Sequence, residues 1–455
     1  MSINIRTIFL IGSISFLLIY FGKFITETSP QITFLIVITL FTGIATLIKP
    51  QFGLVILIFA MLLSPEIIIA QTPAREVTIR AEDFLLILIF LIWFFKTAYY
   101  RGLGVISKTP LNTPIVMYSF ACIFSSILAI LTGGLKGKEM GAFFFILKYI
   151  QYFLLYFLVV SYVSEKKQIK QFLIAGVITY IIVCIYGYVQ IAQGVERIST
   201  PFEGGVGEAA TLGGYFLLIM AVLLGLFVYS SEIKHQVLYL SLFLLSVLPF
   251  LHTLSRASFF GFIPMYLSLI IFSKKKKPML IFTFLICAIF FNVLMPERVT
   301  GRIKETFLEE KVNIFQPARW RLEPSAEARV MNWKHIITER FPKKPFFGYG
   351  VTGVGLVDAQ YPRILGETGI FGLIAFLFII FTIFKHSIKA MKEIPEPFYK
   401  GLILGFISGF AGILTQAIGT NTFIIVRIME PFWFLCAIVM TLPKILNSQQ
   451  CSATL

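Results

Sequence analysis

The chain has 455 residues, of which 57% are hydrophobic and only 14% are charged. So large an apolar share cannot be enclosed inside a soluble globule, which excludes a soluble protein. The net charge of +16 does not indicate nucleic-acid binding, because Lys and Arg lie mainly in short connections between apolar segments. Four of the five cysteines lie inside apolar segments, so neither disulfide chemistry nor a cysteine metal site is expected.

Continuous apolar segments of roughly 15 to 24 residues recur along the chain. A helix of that length crosses ~30 Å of hydrocarbon at ~1.5 Å per residue, whereas barrel strands would alternate apolar and polar residues. The sequence therefore predicts an all-α polytopic membrane protein with about 12–14 transmembrane helices. The fourteen candidate spans are Thr7–Phe21, Gln31–Leu47, Phe52–Ile69, Glu82–Ala98, Thr113–Thr132, Phe143–Val163, Ile169–Ala192, Ala209–Tyr229, Val237–Leu251, Ala257–Phe272, Met279–Met295, Arg363–Phe384, Lys400–Ile418 and Thr422–Leu442.

The distribution of basic residues predicts the orientation. With the N-terminus inside, the inner segments hold about 18 Lys and Arg against about 7 in the short outer loops, which predicts cytoplasmic N- and C-termini. Residues 1–295 then form about eleven spans, 363–443 form about three, and 444–455 form a cytoplasmic tail. Residues 296–362 form one long polar loop on the outer face, and its mixed charges are typical of a small helical subdomain with a function.

Three basic residues lie at or near the outer ends of spans. Arg256 follows Ser255 at a predicted outer turn, where its guanidinium can face a polar cavity or reach the phosphate headgroups of the bilayer. Lys148 and Arg427 lie within or near spans, where a charge is costly unless it faces water or a partner. Each is therefore a functional candidate, with snorkelling to the membrane surface as the alternative.

The long loop carries two further patterns. Arg329 and Trp333 are four residues apart, which places a cation and an aromatic ring on one helix face, as in a binding site or in an amphipathic surface helix. A G-x-G-x-x-G pattern follows at Gly348, Gly350 and Gly353, but no strand precedes it and no nucleotide is expected on the outer face, so a dinucleotide site is excluded. The glycines either let backbone amides approach an anion or let the chain pack closely.

Charged and aromatic residues then cluster at the entrance to the twelfth span. Asp358, Tyr361 and Arg363 precede Glu367, so two carboxylates and an arginine lie close together in the sequence. Glu367 can be a functional carboxylate or a cap of the helix that follows it. Tyr361, like Trp333, can stack against a sugar ring or pack among other aromatic residues.

Taken together, these residues resemble the O-antigen ligase and polymerase family. The resemblance covers roughly residues 254–378 and rests on Ser255-Arg256 at an outer helix end, Arg329-x-x-x-Trp333 in a long outer loop, the Phe-Gly-x-Gly turn of residues 347–350, and Asp358 nine positions before the Glu367-Thr-Gly-Ile-Phe-Gly-Leu segment. The rest of the chain agrees with the family only in hydropathy and topology.

The resemblance implies a fold similar to the metal-independent, GT-C-like membrane glycosyltransferases, in a bacterial inner membrane, with the long loop in the periplasm. It implies transfer of a glycan from an undecaprenyl-diphosphate carrier to a glycan or to lipid A core, with neither cofactor nor metal. The expected partners are this donor, the acceptor, the lipid bilayer and a chain-length regulator, and no nucleic acid.

By the same resemblance, Arg256 and Arg329 hold the diphosphate, for which a planar and permanently charged guanidinium is well suited. Asp358 stands where the ligases carry a His that deprotonates the acceptor, so it is the candidate base. Arg363, Trp333, Tyr361, Glu367, Gly348 and Gly350 are expected to line the substrate site.

The missing His favours a polymerase of O-antigen or exopolysaccharide repeat units. An O-antigen ligase is the alternative within the same class. A transporter or flippase for lipid-linked sugars is the alternative outside it, although the chain lacks the related halves that are typical of transporters.

Overall fold

The computed structural model describes residues 37, 41–71, 76–101, 107–203, 208–289, 300–301, 307–310, 319–322, 324–355 and 357–453. These residues are almost entirely helical, and eight of the described helices are long and apolar enough to cross a membrane. The prediction of an all-α, multi-pass membrane protein is therefore confirmed. The candidate span Thr7–Phe21, most of Gln31–Leu47 and parts of the long loop lie outside the described residues.

Most of the described helices follow one another with short connections, and the longer connections lie on either side of α10. In chain order the helices are α1 Pro50–Leu63, α2 Ala81–Arg101, α3 Asn112–Leu131, α4 Glu139–Tyr162, α5 Lys166–Ala192, α6 Ala209–Tyr229, α7 Ile233–His252, α8 Arg256–Phe272, α9 Lys277–Ile289, α10 Pro324–His335, α11 Gln360–Glu393, α12 Pro397–Gln416 and α13 Val426–Ala453. The eight that meet the length and hydropathy requirements are α3, α4, α5, α6, α7, α11, α12 and α13, and three shorter apolar helices are α1, α8 and α9.

Two short antiparallel hairpins interrupt the helical pattern. Strand β1 (Glu66–Gln71) pairs with β2 (Glu76–Arg80), and β3 (Phe307–Glu310) pairs with β4 (Arg319–Leu322). The first hairpin shortens the third candidate span, because α1 ends at Leu63 instead of continuing to Ile69. Ser64 precedes a proline and has the extended backbone angles that such a position favours, so the chain leaves the helix there.

Helices α6 and α12 form the centre of the bundle, with α8 packed against α12. Glycines bring their backbones into contact, because a Cβ on Gly225 would lie 2.3 Å from the carbonyl oxygen of Gly401. A Cβ on Gly261 of α8 would likewise lie 2.7 Å from the carbonyl oxygen of Gly412. Small residues at such contacts are typical of membrane helices, where van der Waals packing replaces the hydrophobic effect between helices.

The two ends of the bundle differ in character. We call the end at which α6, α8, α11 and α13 begin the loop end; it carries both the β1–β2 hairpin and α10. The opposite end carries short connections rich in lysine, and there Lys166 Nζ lies 2.9 Å from Glu396 Oε1. Most of the residues proposed to have a function lie at the loop end.

We expect the substitution Gly225→Ala to destabilise the protein by about 1–3 kcal/mol, because the added methyl group forces α6 and α12 apart. Thermal unfolding of the detergent-solubilised protein measures this loss. Gly176→Ala in α5 is the matched control, since a Cβ at Gly176 meets no atom within 4 Å. Equal unfolding temperatures for the two variants would contradict the packing described here.

Candidate functional site

Helix α11 is broken by Gly369, whose φ of 65° and ψ of −163° are not helical. The glycine turn at residues 345–350 docks into this break. The amides of Tyr349 and Gly350 donate to the carbonyl oxygens of Gly366 (3.0 Å) and Glu367 (2.8 Å). The Ile370 amide donates in the other direction, to the carbonyl oxygen of residue 345. These three backbone hydrogen bonds join the turn to α11, as in the pairing of two strands.

Gly348 lies at the closest approach of this turn. Its φ is +66°, and a Cβ there would lie 2.5 Å from the carbonyl oxygen of Gly366. Only glycine combines that backbone conformation with that contact. The sequence left open whether these glycines bind an anion or let the chain pack closely. The observed contacts of Gly348 and Gly350 are packing contacts, and a role for them in substrate binding stays a prediction.

Arg363 and Glu367 form a buried ion pair within α11. Arg363 Nε donates to Glu367 Oε1 at 2.9 Å, and the two side chains are 8% and 2% exposed. The same carboxylate oxygen accepts the amide of Thr352 at 2.8 Å, so the pair also holds the glycine turn against the helix. The guanidinium lies 5.0 Å from the centre of the Phe145 ring. In the structure the two residues bind each other and the turn, and a role for either in substrate binding stays a prediction.

A small apolar cluster links Trp333 to the residues next to Asp358. Trp333 packs against this cluster, which is formed by Ile336, Val357 and Ala359, and the last two of these flank Asp358. Val357 and Ala359 are buried while Asp358 itself is exposed, so its carboxylate faces away from the protein interior. Trp333 and the two neighbours of Asp358 therefore belong to one cluster, and a shared substrate site stays a prediction.

Arg329 lies one helical turn before Trp333 in α10. It is partly exposed, and its Nε atom is buried without a hydrogen-bond partner among the described residues. A guanidinium N–H without a partner is costly when it is buried, and a phosphate oxygen satisfies it well. Arg329 is therefore a partly exposed cation with one donor left unsatisfied among the described residues.

A short turn at residues 417–421 contacts the chain neighbours of both Arg256 and Asp358. On one side, a Cβ on Gly419 would lie 3.5 Å from the Cβ of Ala257, the residue after Arg256. On the other side, Asn421 Nδ2 donates to the carbonyl oxygen of Val357, the residue before Asp358, at 2.6 Å. Residues next to Arg256 and next to Asp358 thus contact the same five-residue turn.

Polar contacts hold this turn in place. Gln416 Nε2 donates to Ser258 Oγ (3.0 Å) and to the carbonyl oxygen of Ala210 (2.8 Å), so the end of α12 is fixed to the starts of α8 and α6. The Gln360 amide donates to the carbonyl of Ala417 at 3.0 Å, which fixes the start of α11 to the same turn. Gln416 and Asn421 were not singled out in the sequence, where an isolated amide at a helix end has no distinguishing pattern.

Tyr361 contacts the protein interior. Its hydroxyl donates to the carbonyl oxygen of Leu414 at 2.7 Å, and its ring lies 6.4 Å from that of Phe376. The sequence left open whether Tyr361 stacks against a sugar or packs among other aromatic residues, and these contacts are packing contacts. Stacking of Tyr361 against a sugar stays a prediction.

A second polar region at the loop end was largely missed by the sequence interpretation. We call it the buried charge network; its members are Glu66, Arg80, Glu82, Asp83, Lys148, Arg427 and Glu430. Only Lys148 and Arg427 were candidates beforehand. The sequence did contain a sign of the other members: Glu82 begins one candidate span and Glu430 lies inside another. Carboxylates are unusual at such positions in a membrane helix.

Arg427 is held by backbone carbonyl groups. Its Nη1 atom donates to the carbonyl oxygens of Leu62 (2.7 Å) and Pro201 (2.5 Å), and Nη2 donates to that of Ser64 (3.1 Å). The side chain is 1% exposed. Arg427 therefore does not snorkel to the surface, and it fastens the end of α1 to the start of α13.

Acidic and basic groups pair elsewhere in the network. Lys148 Nζ lies 2.6 Å from Asp83 Oδ1, and Arg80 Nε donates to Glu66 Oε1 at 2.9 Å. Burial opposes the charge of Arg80, but the nearby carboxylates of Glu82 and Glu66 outweigh it and raise the pKa of Arg80. In the adjoining loop, burial raises the pKa of the Glu203 carboxyl, although Thr200 donates a hydrogen bond to it.

Comparison with known proteins adds no assignment. No family model matches the chain, and no curated protein sequence matches it. The site is therefore interpreted from its own residues and from the resemblance given above.

We expect Arg363→Ala to lower the free energy of unfolding by about 3–5 kcal/mol, because it leaves the Glu367 carboxylate buried without its partner. Thermal or denaturant unfolding in detergent measures the loss. Lys389→Ala is the control, since Lys389 and Glu393 form an exposed pair at 3.7 Å that contributes about 0.5 kcal/mol or less. An Arg363→Ala protein that keeps its stability but loses activity would instead identify Arg363 as a substrate-binding residue.

Proposed function

We propose that this protein is a membrane glycosyltransferase that moves a glycan from an undecaprenyl-diphosphate carrier to a glycan acceptor. The observation that supports this proposal most is the 417–421 turn, which has neighbours of Arg256 on one side and of Asp358 on the other. A permanent cation and an exposed carboxylate beside one turn are the two groups that such a transfer requires.

Arg256 and Arg329 are proposed to bind the diphosphate. Arg256 is the first residue of α8, so the guanidinium and the positive end of the helix dipole act on the same anion. Arg329 contributes the Nε donor that has no partner among the described residues. As the bond to the sugar breaks, negative charge grows on the diphosphate, and these donors stabilise it there.

Asp358 is proposed to be the base. The acceptor hydroxyl attacks the anomeric carbon of the donor sugar while its proton passes to the Asp358 carboxylate. The bond between that carbon and the diphosphate oxygen breaks, and its electron pair leaves with the carrier diphosphate. One displacement of this kind inverts the anomeric carbon. Trp333, which packs against the cluster that contains both neighbours of Asp358, is suited to support a sugar ring.

The acceptor is proposed to be a growing O-antigen or exopolysaccharide chain, with a chain-length regulator as a further partner. Asp358 occupies the position at which the ligases carry a His, and this difference supports a polymerase over a ligase. The donor would enter from the bilayer, and the loop end would face the periplasm of a bacterial inner membrane.

One observation favours a second candidate, a transporter or flippase of lipid-linked sugars. Several members of the buried charge network, such as Lys148, Arg427 and Glu430, lie on apolar helices, and charges inside a membrane frequently mark a transport pathway. A transporter would not need Asp358, because no bond is made or broken. Substitution of Asp358 therefore separates the two candidates.

We expect Arg256→Ala and Asp358→Ala each to abolish chain extension in a strain deleted for the gene, with single capped repeats resolved on a gel of surface glycan and lipid A. Loss of a general base lowers a rate by about 10²–10⁴-fold, which is ample for this readout. Lys136→Ala and Glu339→Gln, exposed residues near the same end, are the matched controls.

Other glycan patterns from the Arg256→Ala and Asp358→Ala variants would indicate a different function. Unattached long chains would indicate a ligase. A loss of all outer glycan in Arg256→Ala, with normal chains in Asp358→Ala, would indicate a transporter. Normal glycan from both variants at normal protein levels would contradict the proposed site.

The proposed orientation has its own test. A single cysteine at residue 343 of the loop end should react with a membrane-impermeant thiol reagent in cells with a permeabilised outer membrane. A single cysteine at residue 275 should react only after the inner membrane is opened, because the Lys274–Lys277 segment is expected to be cytoplasmic. The reverse pattern would place the proposed site on the cytoplasmic side.

A further inference from the structure

The buried charge network holds one more acidic group than basic groups. Its carboxyl groups belong to Glu66, Glu82, Asp83 and Glu430, and its cations belong to Arg80, Lys148 and Arg427. If every group were ionised, four negative charges would face three positive ones. An uncompensated charge inside a membrane protein is strongly unfavourable, so one carboxyl group requires another form of neutralisation.

The contacts within the network show which carboxyl group is left over. Arg80 pairs with Glu66 and has its Nε 3.8 Å from Glu82 Oε1, while Lys148 pairs with Asp83 at 2.6 Å. Arg427 Nη2 lies 3.8 Å from Glu66 Oε1. Each of these three cations therefore faces a carboxylate other than Glu430.

Glu430 has no cation within 4.0 Å among the residues that the structure describes. It is 1% exposed, so water does not compensate for its charge. Its Oε1 atom accepts Gln151 Nε2 at 2.9 Å, and its Oε2 atom is buried with no hydrogen-bond partner among those residues.

The surroundings of Glu430 add negative charge from a neighbouring helix. Glu82 and Asp83 of α2 act on it with the same sign, whereas the opposing cations Lys148 of α4 and Arg80 of β2 are already paired. Tyr152 of α4 also interacts electrostatically with Glu430. The remaining groups in or beside the network, Arg427 of the same helix, Glu66 of β1 and Glu203 of the adjoining loop, interact with one another.

We propose that Glu430 is a proton-binding site and carries a proton at neutral pH, which makes the buried charge network electrically neutral. The proton comes from water and adds to Oε2, the oxygen without a partner, while Oε1 remains the acceptor of the Gln151 amide. This proposal goes beyond the proposed function and does not depend on it.

Glu82 is the other fully buried carboxyl group, and its contacts suit the ionised form better. Ser64 Oγ donates a hydrogen bond to its Oε2 atom, and the Arg80 guanidinium lies 3.8 Å from its Oε1 atom. A nearby cation and a donated hydrogen bond both favour a carboxylate. Glu430 has a donated hydrogen bond but no such cation, which is why the proton is assigned to it.

Infrared spectroscopy of the full chain in lipid nanodiscs tests the assignment directly. At neutral pH we expect the carbonyl stretch of a protonated carboxylic acid in the wild type and its loss in Glu430→Gln. Glu393→Gln is the matched control: Glu393 is 53% exposed on α11 and pairs with Lys389, so the band should remain. Absence of the band from the wild type, or its survival in Glu430→Gln, overturns the proposal, as does its loss in Glu82→Gln alone.

Unfolding against pH is the second measurement, and it uses the wild type as well as the variant. An unfolded glutamate releases its proton above about pH 4.3, whereas folded Glu430 keeps it, so folding takes up a proton. Relative to Glu430→Gln, the folding equilibrium constant of the wild type should therefore fall about tenfold per pH unit as the pH rises, until Glu430 ionises. Parallel curves for the two proteins, or a dependence on sodium concentration at fixed pH, would overturn the proposal.

Discussion

The backbone contact of α12 with α6 and α8 sets the position of everything at the loop end. Because glycines such as Gly225 and Gly261 carry no side chain, the three helices approach until carbonyl oxygens meet where a methyl group would otherwise lie. Gln416, at the end of α12, is then close enough to bind the starts of both other helices. The 417–421 turn follows directly, and it aligns the neighbours of Arg256 with those of Asp358.

Polar side chains in this protein fall into two groups with different consequences. Arg363, Glu367 and Arg427 are buried, and their contacts are with one another or with backbone groups. Such groups hold segments together, since a charge without a partner is too costly in a membrane interior. Asp358 is exposed, and Arg329 has a donor with no partner among the described residues. Residues of this second group are the ones proposed to bind substrate.

The buried charge network shows how a membrane protein accommodates charges that it cannot expose. The pair of Lys148 with Asp83 joins α4 to α2, and the pair of Arg80 with Glu66 joins the two strands of the β1–β2 hairpin. The carboxyl of Glu430 is linked to this arrangement only through the amide of Gln151, which bridges it to Asp83. A proton on Glu430 removes the repulsion that two adjacent carboxylates would otherwise create.

The sequence by itself determined the class of the protein, because the length of an apolar segment and the absence of charges within it are local properties that decide whether a helix crosses a membrane. It also located Arg256, Arg329, Trp333 and Asp358 as candidates. Only the tertiary structure decided that Arg363 and Glu367 bind each other and that the glycine turn packs into the break at Gly369. Some of those contacts, like those of the network around Glu430, join residues that are distant in the chain. Others depend on a local change in backbone direction. No pattern of spacing along the sequence shows which of these residues meet.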